Sequence, residues 1–288
     1  MTLALPRVAP RGGMLAAGGQ VWAATRAELV MQWRRWGFWL TFGCVTAALF
    51  LLTAQAASYL LHPPATSLYA RQGYTRSELN NLMTLNTTTY AAMFFGLVVA
   101  LLVVDRLKRD QRLGMAEVQR STPQGAICYA LGKCLGNYLA TLLPTALAYA
   151  LCALLAIALG WPIILLPKFM LAFLLVFMPS SAAAVTLTLL LSSVAPVRVV
   201  QVGFSLLWFE LNLGLGWRAL GYSILNPSGL YVYPVFFPVP PMQYTQPGFH
   251  TSTPLALLNI ASLVLAALVA LGLTCGSLAL QRYRQEIA

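Results

Sequence analysis

The sequence predicts an all-α integral membrane protein. Six transmembrane helices follow an N-terminal interfacial amphipathic helix, with short broken or re-entrant pieces between helices five and six. Three observations predict it. Of the 288 residues, 59% are hydrophobic and only 9% charged, against about a quarter charged in soluble domains. The apolar residues fall in long runs that match the thickness of a bilayer. The charges fall between the runs, which is how a membrane protein sets its orientation. Net charge is +11. With the bases confined to connections, that charge points to a membrane surface and not to nucleic acid.

The first 19 residues carry Arg7 and Arg11 but no continuous apolar core. They read as a flexible cytoplasmic tail, not a targeting peptide. Over 20–36, Trp22, Leu29, Trp33 and Trp36 recur at helical spacing while Arg34 and Arg35 point elsewhere. Tryptophans on one side and arginines on another belong at the interface. A plain inward extension of the first span is the alternative.

Spans are expected at about 38–61, 89–104, 138–159, 169–193, 200–217 and 255–280, so 37–281 form one transmembrane domain. His62-Pro63-Pro64 stops the first. A short external loop to about 85 follows, with a helix around 77–83. Asn86-Thr87-Thr88 fits a glycosylation sequon, but it abuts a span and reads as chance. Thr122-Pro123 is a helix start, hydroxyl cap followed by proline. That helix is expected to run into the third span and to kink at Pro144. Pro179-Ser180-Ser181 marks a bend in the fourth. The segment 226–254 has seven prolines and no Asp, Glu, Lys or Arg. It is too broken to span and too aromatic for a simple wet loop. Residues 282–288 form a cytoplasmic tail. This layout puts fourteen Lys and Arg on the side of the termini and four, Arg71, Arg76, Lys168 and Arg218, on the other. Both termini are therefore expected in the cytoplasm.

No enzyme motif is present: neither HExxH nor GxSxG occurs, and Gly132-Lys133 is followed by Cys134, so there is no nucleotide-binding loop. The five cysteines form no CxxC pair, and His62 and His250 lie far apart, which argues against a disulfide framework or a zinc site. Within the spans, only Glu210 stands out, with Asn212 close by. Three roles fit a carboxylate at that depth: pairing that holds helices together, proton coupling, or lining a substrate path.

The remaining signal is the polar segment 105–137, which holds six basic residues: Arg106, Lys108, Arg109, Arg112, Arg120 and Lys133. Its order is Asp105-Arg106, Gly114, Glu117, Ser121-Thr122-Pro123, Tyr129 and Leu131-Gly132-Lys133. This resembles the cytoplasmic loop of ABC-2 type permeases, the membrane subunits of ATP-binding-cassette exporters. In overall layout the resemblance extends along the whole chain; at the residue level it is concentrated in this loop. It implies a coupling helix around 114–120 that docks on a separate ATPase. The coupling set would be Arg112, Gly114, Glu117, Arg120, Ser121, Thr122 and Pro123. It implies a second permease half, identical or homologous, and contact with membrane lipid. It implies no cofactor in this chain, with ATP and Mg held by the ATPase subunit. The loop has more bases than acids, so an acidic docking groove is expected on that partner. An ion-gradient-driven secondary transporter using Glu210 is the alternative function, and a scaffold that transports nothing is a third.

Overall fold

A computed structural model describes residues 14–63, 73–112, 125–213, 223–238 and 251–287. These residues are helical with irregular connections, and no strand occurs among them. In chain order the helices are α1 (Met14–Trp33), α2 (Trp36–Leu61), α3 (Arg76–Val103), α4 (Arg106–Arg112), α5 (Ala126–Ala158), α6 (165–194), α7 (Val197–Leu213), α8 (Tyr233–Phe236) and α9 (Thr253–Ile287). Five stretches are long and apolar enough to cross a membrane: Trp36–Leu61, Arg76–Asp110, Ile127–Ala158, Leu165–Val194 and Thr253–Leu280. That suggests a membrane protein. The fifth of the six expected spans corresponds to α7, whose described part is 17 residues long. The rest of that expected span, 214–217, lies outside the described residues.

α3 begins earlier than the sequence suggested. Thr75 and Glu78 form a capping box: the Glu78 N–H donates to Thr75 Oγ1 (3.3 Å) and the Thr75 N–H to Glu78 Oε2 (2.8 Å). Two orphan donors are satisfied at once, and the helix then runs unbroken for 28 residues. The helix expected around 77–83 is therefore longer than expected: residues 76–85 of the expected loop are helical and continuous with the span. Thr87 and Thr88 of the sequon are buried inside it.

α3 sits at the centre, packed against α2, α5, α6 and α7. Its Phe95 lies 5.7 Å from Phe42 of α2 and edge-on to Phe177 of α6. Phe173, Phe169 and Tyr149 continue the aromatic core. The outward faces are apolar instead: Leu51, Leu206, Leu265 and Leu268 are more than 60% exposed. An apolar exterior is what a lipid solvent permits and water does not.

Both expected proline distortions have a local answer. Pro144 lies inside α5 and leaves the Ala140 carbonyl without its helical donor. The Trp33 indole N–H fills the gap, 3.1 Å from Ala140 O. In α6 a π-turn, Phe173–Phe177, precedes Pro179 and absorbs the missing bond. Ser180 and Ser181 donate to Phe177 O and Met178 O.

Of the proline-rich segment 226–254, the described residues 226–238 pack mostly into the protein. Pro227, Ser228, Val232, Tyr233 and Phe237 are buried. The backbone here is satisfied by side chains: Asn259 Nδ2 donates to Ile224 O (2.6 Å) and Asn226 O (3.0 Å), and Ser262 Oγ to Ile224 O (3.0 Å). Gly229 turns the chain at φ +85, where a Cβ would meet Val176 and Tyr233 at 2.8 Å. Buried non-helical backbone persists only when its polar groups find partners in this way.

Candidate functional site

α1 is 20 residues long and lies along α5. The face it buries is polar. Thr25, Glu28 and Gln32 recur at three- and four-residue spacing and are 2%, 1% and 0% exposed, while Trp22 is 63% exposed. The sequence suggested a helix whose tryptophan side rests on the bilayer interface. The structure adds an inner face that the tryptophan pattern did not reveal. α5 meets it with Gly132 and Gly136, one turn apart. A Cβ on Gly136 would lie 2.6 Å from Glu28 Cβ and 2.8 Å from Thr25 O, so only glycine lets the two backbones approach.

The groups between them form one network. Lys133 Nζ lies 2.5 Å from Glu28 Oε2 and 2.7 Å from Asp110 Oδ2. Tyr129 OH donates to the same Asp110 oxygen (2.5 Å). Arg106 faces Glu28 Oε1 from its Nη1, 3.7 Å away, and donates from Nη2 to Gln32 Oε1. Gln32 Nε2 donates to Asn137 Oδ1 (2.5 Å), and Asn137 Nδ2 donates to Lys133 O (2.8 Å). Glu28 and Asp110 oppose Arg106 and Lys133, and the more exposed Asp105 adds a longer ion pair to Arg106 Nε (4.0 Å). Paired, hydrogen-bonded charge is the form that tolerates burial.

Two readings of the sequence are corrected here. Arg106 and Lys133 are not displayed on a loop: they are 4% and 5% exposed. Nor is Glu210 the one buried charge, for Glu28, Arg106 and Lys133 lie deeper. The expected helix start at Thr122-Pro123 lies outside the described residues, but a continuous run from it into the third span is revised. Gly125 is extended (ψ 151), and the helix begins at Ala126.

The cluster closes the two ends of the segment 113–124. Arg106 and Asp110 belong to α4, which leads into it; Tyr129 and Lys133 belong to the first turns of α5, which leads out. α4 is held from below by Leu107, packed with Val185 and Leu189 of α6. Of the coupling residues expected from the sequence, Arg112 ends α4. Gly114, Glu117, Arg120, Ser121, Thr122 and Pro123 lie outside the described residues.

Glu210 is elsewhere. It is half-buried near the far end of α7, about 20 Å along that helix from its start. The neighbouring Leu211 carbonyl accepts from Asn226 Nδ2 (2.8 Å). Asn212 donates its amide to Trp208 O (2.7 Å). The structure does not bring Glu210 or Asn212 to the ionic cluster. α7 is anchored by Trp208, whose indole fills the space over Gly96 and donates to Met93 O (3.2 Å).

Sequence reasoning missed Glu28, Gln32, Asp110 and Asn137. Their signal was present: a Thr-x-x-Glu-x-x-x-Gln face on α1, and Gly132-Lys133 repeated one turn later as Gly136-Asn137. No protein-family model matches the sequence, and no curated protein matches it either.

Proposed function

We propose that the chain is the transmembrane permease subunit of an ABC-type exporter. It moves or flips a substrate outward with ATP hydrolysed on a separate subunit. The protein sits in the cell membrane with both termini cytoplasmic, six spans and the 226–254 segment re-entrant from the outer side. A second permease half, identical or homologous, completes the pathway. The chain itself has no catalytic role and holds no cofactor.

One observation carries the reading. Both flanks of the segment 113–124 are tied to a single buried cluster, Glu28–Arg106–Lys133–Asp110. A push on that segment therefore displaces α1, α4 and α5 together instead of spreading into a slack loop. Arg112, Gly114, Glu117 and Arg120 offer the docking surface, and Ser121, Thr122 and Pro123 the elbow. Charge at the docking surface steers association and selects the partner. The test is a pulldown from the native membrane in mild detergent, with ATPase activity read on the eluate. Wild type brings down an ATPase, and Glu117→Arg loses both the partner and the hydrolysis. Recovery of no ATPase from native membranes would remove this reading.

The second reading is an ion-gradient-driven transporter. The half-burial of Glu210 in α7 favours it. pH-dependent transport in vesicles without any ATPase, abolished by Glu210→Gln, would select it.

A further inference from the structure

A groove runs between α2 and α5. Trp39, Phe42, Gly43, Ala47, Pro144 and Leu147 line it, and it opens outward along the helix pair. Its floor is low because α2 presents small residues there: nothing lies within 4 Å of a Cβ built on Gly43. Phe42 is buried as its base, while Trp39 and Leu147 are exposed as its rims. Both helices are long enough to cross a bilayer, so the medium that meets the groove is hydrocarbon.

One end differs from the rest. The Trp39 indole donates to Trp33 O (2.7 Å) and its ring packs 6.2 Å from Trp33. That fixes the α1–α2 turn, carrying Arg34 and Arg35, at the Trp39 end of the groove. Arg34 is exposed and Arg35 half-exposed, and neither has a carboxylate partner among the described residues. The acids of the neighbouring cluster are engaged elsewhere: Glu28 and Asp110 pair with Arg106 and Lys133, and Asp105 with Arg106 (4.0 Å). Indole rings at an interface, free guanidinium groups beside them and an apolar slot leading inward form the complement of one molecule class.

The geometry points to a bound anionic phospholipid: an acyl chain in the α2–α5 groove and its phosphate headgroup on Arg34 and Arg35. The site is separate from any docking of an ATPase and stands whether or not one binds. It abuts α1, so the lipid braces the helix that carries Glu28.

The test is native mass spectrometry of the full chain released from detergent. Phosphatidylglycerol and phosphatidylethanolamine of matched acyl chains are offered at equal concentration. Wild type retains phosphatidylglycerol in preference. Arg34→Gln lowers that retention about five-fold, the worth of one basic residue at an anionic surface. A Cβ on Gly43 meets no atom within 4 Å, and Gly43→Phe, which extends a ring from it into the slot, removes the retained lipid. Thermal melting without added lipid reports that both variants fold. Equal retention of the two lipids, or phosphatidylglycerol retained undiminished by folded Gly43→Phe, would overturn the assignment and leave only annular lipid.

Discussion

Glu28 is the residue on which the cluster turns. It is 1% exposed and faces two cations, Lys133 at 2.5 Å and Arg106 at 3.7 Å. Removing one partner of a buried pair strands the others, at a cost of about 3–5 kcal/mol. Glu28→Ala should therefore lower the detergent melting temperature sharply. Lys133→Met in the same chain should recover part of the loss, because one stranded cation disappears and its stem volume is kept. Equal stability of wild type and Glu28→Ala would show that the cluster does not hold α1. The close approach itself rests on glycine. Gly136→Leu drives its side chain against Thr25 backbone and Glu28, whereas no atom opposes an alanine at Gly43.

At the scale of the element, α1 and α5 are joined by exchange as well as by packing. Pro144 deprives Ala140 O of its helical donor, and Trp33 at the end of α1 supplies another. Trp33→Phe should cost about 1–3 kcal/mol, since a buried carbonyl loses its partner. Pro144→Ala returns an N–H at position 144, so Trp33→Phe should cost less in that background. A thermal-unfolding double-mutant cycle should give a coupling of about 1 kcal/mol. Simple additivity would show that the indole bond and the proline are unrelated. α3 shows a similar dependence on a small residue, with Gly96 lying under Trp208 and no room there for a Cβ.

For the whole molecule, the described helices divide polar chemistry between two ends. One end holds the Glu28 cluster. The other holds Lys168, which donates to Asn81 Oδ1 (2.5 Å), while Asn81 Nδ2 donates to Pro238 O (2.8 Å). The proposed orientation makes these the cytoplasmic and outer ends. In a cysteine-free background, Ser77→Cys should react with a membrane-impermeant maleimide on intact cells. Arg109→Cys should react only after permeabilisation. Both positions are exposed, so the opposite labelling pattern would invert the topology.

The sequence by itself determined that the chain is helical and apolar enough for a membrane, and where proline would fall in its helices; it led to an expectation of six spans, of which five stretches among the described residues are long and apolar enough to cross. These follow from composition and from periodicity, which act within one helix. It also singled out the segment 105–137, through charge density. Which of its charges face water was a different matter. Arg106 and Lys133 looked like their neighbours Lys108 and Arg109, because a charge on a helix does not state what lies opposite. Only the packing of α1 on α5 decided that, by placing Glu28 against both cations. The polar face of α1 was legible as spacing but not as burial, since the tryptophans around it suggested a bilayer contact. Tertiary structure resolved it because the free energy of a buried charge belongs to the set of partners, and these partners stand 105 residues apart along the chain.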